Sequence, residues 1–255
     1  MKLNLTILFL TVSLGLHAQE EAQKAFSEGV RQLKAQNFIE AENLFSIAIE
    51  KGETENGLKM SYIYKGFSLN GQGKYDDAIV CFDRAIEIDS LDPASFTDRA
   101  LAHSYKNDYL SAIKDFEHVL TLNATSEQAE AAYFYLGKIK MLTSEDEAAI
   151  PYFDKLIELV PTDAEAYFIR GTAKSNIMDS NGAIADFDKA IELRPNYMEA
   201  YANRGVQKIN KLPVEQKTGD NIECIEDPCS DLLKAKELGD TSVEDMIFLY
   251  CKKCK

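Results

Sequence analysis

Six small residues recur along the chain at nearly constant intervals: Gly29, Gly66, Ala100, Gly137, Gly171 and Gly205, in steps of 37, 34, 37, 34 and 34 residues. Such self-similarity constrains the fold more than any local propensity does. Twelve residues after each of the first five stands an alanine (Ala41, Ala78, Ala112, Ala149, Ala183), and four further on a phenylalanine (Phe45, Phe82, Phe116, Phe153, Phe187). Three beyond that comes Ala48, Ala85, Val119, Leu156 or Ala190. Spacings of i, i+4 and i+7 put all three on one helical face. A second aromatic column, Tyr62, Phe96, Tyr133, Tyr167 and Tyr201, precedes the small residues.

Each copy therefore reads as two short antiparallel helices, A and B, with the small residue allowing close approach. A hairpin of this size cannot bury its apolar face alone, so the copies must stack. The pattern resembles the tetratricopeptide repeat family, most clearly in Tyr167-Phe168-Ile169-Arg170-Gly171-Thr172-Ala173 and in Ala183-Ile184-Ala185-Asp186-Phe187-Asp188-Lys189-Ala190. The resemblance implies an all-α, right-handed superhelical solenoid of about six helix pairs over residues 22–239. The repeats fall at 22–55, 59–92, 93–126, 130–163, 164–197 and 198–239. The three extra residues near Gly57 and near Gln128 are expected in turns between repeats, and a polar loop over 212–222 is expected inside the sixth. Thr241-x-x-Glu244 reads as a capping box that opens a C-terminal capping helix over 241–255.

Ahead of the repeats, Lys2 is followed by an apolar run from Leu5 to Leu16 and then Ala18. The run is too short to span a bilayer, and its flanks are those of a secretory signal peptide over 1–18. The expected product is exported, periplasmic or secreted, with no transmembrane segment. Lys+Arg 28 against Asp+Glu 42 gives a net charge of -14, without the basic footprint of a nucleic-acid binder. The chain has three His, one of them His17, and no phosphate loop, zincin helix or nucleophile elbow. No catalytic residue, cofactor site or metal site can be nominated, so the chain reads as a non-enzyme. Asn123-Ala124-Thr125 fits the N-glycosylation acceptor pattern.

Sixteen residues separate Arg99 from Asp115 and Arg170 from Asp186, and Arg204 meets Asp231 across the inserted loop. Where helix A has Leu136, helix B has Tyr152, so the two columns should touch as arginine–carboxylate pairs. In the second repeat these places hold Lys65 and Cys81, a thiol that the ammonium would activate unless the cysteine simply fills a half-buried space.

Four of the five cysteines lie between Cys224 and Cys254. Export permits disulfides. Cys229 should lie in the last helix B and Cys251 on the inner stripe of the capping helix, which predicts a Cys229–Cys251 bridge, with Cys224–Cys254 as a weaker second. A four-thiolate zinc site on the same residues and a Cys251-x-x-Cys254 redox pair are the alternatives.

In the family, helix A residues line a concave groove that receives a partner protein or peptide. Position by position, the resemblance implies a first column of Phe26, Ile63, Thr97, Phe134, Phe168 and Ala202. The second column is Val30, Phe67, Leu101, Lys138, Thr172 and Val206. Phe26, Ile63, Phe67, Leu101, Phe134, Lys138, Phe168 and Thr172 are the leading contacts for an apolar or aromatic-containing segment. The alternative is that these side chains pack between neighbouring helices. Read as a function, the chain is a protein–protein interaction scaffold, with a non-specific extracytoplasmic holdase as second reading and a thiol- or zinc-dependent protein as third.

Overall fold

A computed structural model describes residues 2–52, 54–213 and 226–251. These residues form thirteen helices and no strand. They are α1 (Lys2–Lys34), α2 (Phe38–Lys51), α3 (Glu55–Gly71), α4 (Tyr75–Ile88), α5 (Pro93–Tyr105), α6 (Tyr109–Thr121) and α7 (Ser126–Leu142). The rest are α8 (Asp146–Leu159), α9 (Ala164–Asn176), α10 (Ser180–Leu193), α11 (Met198–Asn210), α12 (Glu226–Glu237) and α13 (Glu244–Tyr250). The chain divides into two compact units, residues 1–132 and 133–255.

In the N-terminal unit α1 pairs with α2, α3 with α4 and α5 with α6, and α2 also packs on α3 and α4 on α5. In the C-terminal unit α9 pairs with α10 and α11 with α12, and α13 packs on α12. The repeated columns explain this pairing. The five phenylalanines and the five alanines that precede them by four residues are fully buried, and an added Cβ on Gly66 or Gly137 would lie 2.6 Å from the ring of Phe82 or Phe153. In the sixth repeat Leu232 takes the place of the phenylalanine opposite Gly205. Each buried ring contributes about 1.5–3 kcal/mol by leaving water.

The turn from helix A to helix B has one geometry in five copies. Gln36, Gly73, Asn107, Ser144 and Met178 all sit at φ between 60° and 74°. The next residue donates its N–H back to the carbonyl five positions earlier, as in Asn37 to Gln32 (2.9 Å) and Asp179 to Lys174 (2.9 Å). This is the Schellman closure, which usually employs glycine at the left-handed position. Here only Gly73 is one, so the packing of A on B imposes the turn on residues that do not favour it.

The two three-residue insertions differ from expectation. They do not enlarge turns; they add a helical turn to the start of a helix A, making α3 and α7 17 residues long against 13 for α5, α9 and α11. Capping is the cause. Thr54 Oγ1 accepts from Gly57 N–H (3.3 Å). Thr125 Oγ1 accepts from Gln128 N–H (3.3 Å) while Gln128 Oε1 accepts from Thr125 N–H (2.8 Å), a reciprocal capping box.

At the other end, the expected Thr241/Glu244 box does not form. The Asp240 carboxylate instead accepts from Ser242 N–H and Oγ–H (2.8 and 2.6 Å), so the chain bends there and α13 begins only at Glu244. Residues 214–225, which hold most of the expected 212–222 loop and Cys224, lie outside the described residues, as does Cys254. At the N-terminus, α1 runs unbroken past Ala18 to Lys34. No described helix is long and apolar enough to cross a membrane.

Candidate interaction site

Of the eight leading contact residues, Lys138 is exposed and Ile63 is buried, inside a cluster with Cys81 and Phe82. Ile63 is thus core rather than contact surface, because its helix turns that face toward α4. The other six are half-buried. Each of three phenylalanines leans on a core ring of its own repeat: Phe26 on Phe45 (5.7 Å between centroids), Phe67 on Phe82 (5.8 Å) and Phe168 on Phe187 (5.8 Å). Phe134 carries the Lys138 ammonium 5.2 Å from its ring centre, and Thr172 Oγ1 donates to the Phe168 carbonyl (3.0 Å). Leu101 makes no ring contact, being aliphatic, and stands half-buried on α5. The stripe therefore divides between packing and surface, with one edge of each aromatic spent on the core.

In the N-terminal unit this face opens into a pocket of about 430 Å³ lined by Gln19, Gln23, Phe26, Thr54, Gly57, Met60 and Tyr64. Phe26 was expected there. Tyr64 was not, though its ring meets Phe26 edge-on (5.4 Å) and also touches Phe45 and Phe67. Gln23 and Met60 precede groove positions by three residues, so the same helical face could have indicated them. Thr54 and Gly57 come from the extra turn of α3, so the insertion supplies one wall of the pocket.

The arginine column is richer than a set of pairs. Arg99 Nε and Nη2 donate to the two oxygens of Asp115 (2.8 and 2.7 Å), while Nη1 reaches Asp83 on the helix B of the preceding repeat (2.6 Å). Arg170 grips Asp186 in the same bidentate way and reaches Asp154 (2.7 Å); Arg204 grips Asp231 and reaches Asp188 (2.6 Å). Each guanidinium also lies over the aromatic three residues earlier, Phe96, Tyr167 or Tyr201, at 5.4–5.5 Å. Asp115, Asp186 and Asp231 are buried. The bonds from Asp115 hold the Arg99 guanidinium above its already high ordinary range. The second carboxylate, sixteen residues before each arginine, was legible as a column and was missed.

Lys174 and Lys208 add a second cation to Asp186 (2.8 Å) and Asp231 (2.9 Å). His103 holds the corresponding place in the third repeat, with Nδ1 3.2 Å from Asp108 instead.

Cys81 is buried, and burial pushes its thiol up to about 11 against a weaker opposite pull from Lys65, which is the reverse of activation. Cys229 and Cys251 are bonded, with Cα atoms 5.5 Å apart, and join α12 to the end of α13. That bond removes two of the four thiolates the zinc alternative needs.

Comparison with known proteins follows the same architecture. Mouse RNA polymerase II-associated protein 3 is 30% identical over 102 residues, which is 40% of this chain and 15% of that protein. Its human counterpart is 29% identical over the same length, so the chain spans only a small part of these curated relatives. Among solved structures, YrrB, described as a TPR protein with an unusual peptide-binding site, has a TM-score of 0.60 at 24% identity, covering 82% of this chain and 97% of that one. The C-terminal part of a TPR repeat-containing protein from Cytophaga hutchinsonii has a TM-score of 0.70 at 18% identity, covering 87% and 83%. Tetratricopeptide repeat models match residues 61–90, 97–173 and 164–197, just over half of the sequence. The chain belongs to the tetratricopeptide repeat family.

Proposed function

We propose that this chain is a non-enzymatic scaffold, exported from the cytoplasm, that holds a segment of a partner protein against its helix A face. The observation that carries the reading is the pocket bounded by Phe26, Met60 and Tyr64, with Gln19 and Gln23 at its edge. An apolar cleft with a few amide groups suits a peptide, whose side chain enters the cleft while its backbone meets the amides. The family membership supports a role in protein–protein interaction, and the peptide-binding site reported for YrrB is consistent with it. Export rests on Lys2, the apolar run from Leu5 to Leu16 and Ala18.

The test is affinity capture from a cell-envelope extract with residues 19–255 as bait, beside a bait carrying Gln23→Glu and Met60→Glu. Gln23 is exposed and Met60 is half-buried against the Ile63–Phe82 cluster, so the control is used only once circular dichroism shows that it keeps the helix content of the parent. A small set of partners held by the parent and lost by the control supports the reading. Identical sets on both baits would exclude this pocket as the binding surface.

A further inference from the structure

Three carboxylates are buried in the repeats at 4–7% exposure, Asp115, Asp186 and Asp231, and each is gripped by an arginine. Asp98 is different. It lies half-buried on α5 and makes no hydrogen bond or ion pair with any described residue. Burial, with a smaller push from Asp92, lifts its carboxyl to about 7. Asp92 is itself answered: Lys59 Nζ lies 3.7 Å away, and Asp92 accepts from Ser95 N–H (3.3 Å) and Ser95 Oγ–H (2.6 Å). Lys59 is committed to Asp89 as well (2.8 Å), which leaves no cation for Asp98.

Position explains what the carboxyl faces. Asp98 follows the groove residue Thr97 and shares a helical stripe with Leu101 at i+3 and the exposed Tyr105 at i+7. One repeat earlier, thirty-four residues back, the same place holds Tyr64, which lines the pocket. An unpaired carboxylate at a half-covered site costs stability, and it gains most from a cation that arrives with its own hydrogen-bond donors. The chain's overall excess of acids favours the approach of a basic segment over an acidic one.

We propose that Asp98 receives an arginine or lysine side chain of the partner segment, so that the segment pairs a basic residue with the apolar one that enters the Phe26–Met60–Tyr64 pocket. This inference rests on the helix A face being the binding surface. It adds the class of partner: a basic-apolar segment rather than a purely apolar or an acidic one.

Two measurements on the full chain test it. The first selects displayed random twelve-residue segments on the parent and on Asp98→Asn, an isosteric neutral variant that removes a half-buried, unpaired charge and should fold. A basic residue at one position of the segments, enriched about tenfold on the parent and absent from those taken by the variant, is the expected result, since a charge-assisted bond of this kind is worth a tenfold preference or more. No basic preference on the parent, or the same preference on both proteins, overturns the proposal.

The second follows the Asp98 carboxyl by carbon-13 NMR during titration with Nα-acetylarginine methylamide, and with the citrulline analogue as the uncharged control. The arginine compound should lower the titration midpoint by about one pH unit, equivalent to tenfold tighter binding to the ionised form, and citrulline should not. An unmoved midpoint, or equal movement by both, overturns the cation site whatever the pocket binds. A midpoint moved by arginine alone, together with capture that ignores Gln23→Glu and Met60→Glu, would sink the pocket reading and leave the Asp98 site standing.

Discussion

Asp98 carries a second consequence, in stability. Its carboxyl stands at about 7 in the folded chain against a reference of 3.8. A raised carboxyl means the folded state keeps a proton that the unfolded state has released. The stability tied to that proton is complete below about pH 4 and is lost as pH climbs toward 7. At 1.36 kcal/mol per pH unit, a shift of about three units is worth roughly 4 kcal/mol, and partial exposure reduces this to about 2–4 kcal/mol. Asparagine does not titrate. The difference in unfolding free energy between Asp98→Asn and parent, from urea titrations followed by far-ultraviolet circular dichroism, should grow in favour of the variant by about 1–3 kcal/mol between about pH 5 and pH 8. Comparing the two proteins at each pH cancels the other carboxylates. A difference that stays constant with pH, or a variant less stable than the parent at pH 8, would refute the reasoning. A variant that is both more stable and unable to select basic segments would mark Asp98 as a group kept for binding at a cost in stability.

Other substitutions probe the scaffold. Met178 is 89% exposed in a left-handed conformation, so Met178→Gly should raise stability by about 1 kcal/mol, and a loss would mean its side chain does something unseen in this structure. Gly137→Ala would bring a Cβ to 2.6 Å from the Phe153 ring and should cost about 1–3 kcal/mol by thermal or urea unfolding, despite alanine's better helix propensity. Arg170→Ala should cost about 3–5 kcal/mol, because Asp186 would stay buried with only Lys174 for company. Reversing both Arg170 and Asp186 should fail to restore stability, since the reversed pair would set Asp154 and Lys174 against like charges. Replacing Cys229 and Cys251 with serine opens a crosslink between residues 22 apart, worth about 3 kcal/mol on chain entropy, and hydrogen exchange should quicken first in α12 and α13.

The helix pairs were legible in the sequence because small, alanine and phenylalanine columns each report a contact that every copy must make. The turns were harder to read. Gln36, Ser144 and Met178 carry no local sign of a left-handed residue, and only the packing of A on B requires it. The lengthened start of α7 could have been read from Thr125-x-x-Gln128, a capping box hidden by the expectation that insertions enlarge loops. The pocket depended on the extra turn of α3, so its wall at Thr54 and Gly57 was out of reach while its core residue Phe26 was not. The C-terminal start failed for the opposite reason: a capping motif was present in the sequence, but Asp240 captured Ser242 first.

Solenoids diversify by gaining or losing whole repeats, and the arginine column limits where that can happen here. Arg99 belongs to the third repeat yet holds a carboxylate of the second, while Arg170 and Arg204 do the same for the fourth and fifth. Cutting the array at any of these joints takes from the arginine its second, half-exposed carboxylate, while the bidentate pair with the buried aspartate stays inside one repeat. The fourth repeat contributes no arginine of this kind, because its column positions are Leu136 and Tyr152. An array shortened or lengthened at a joint that carries such an arginine loses one ion pair between neighbours, whereas the buried pair travels with the repeat that is moved.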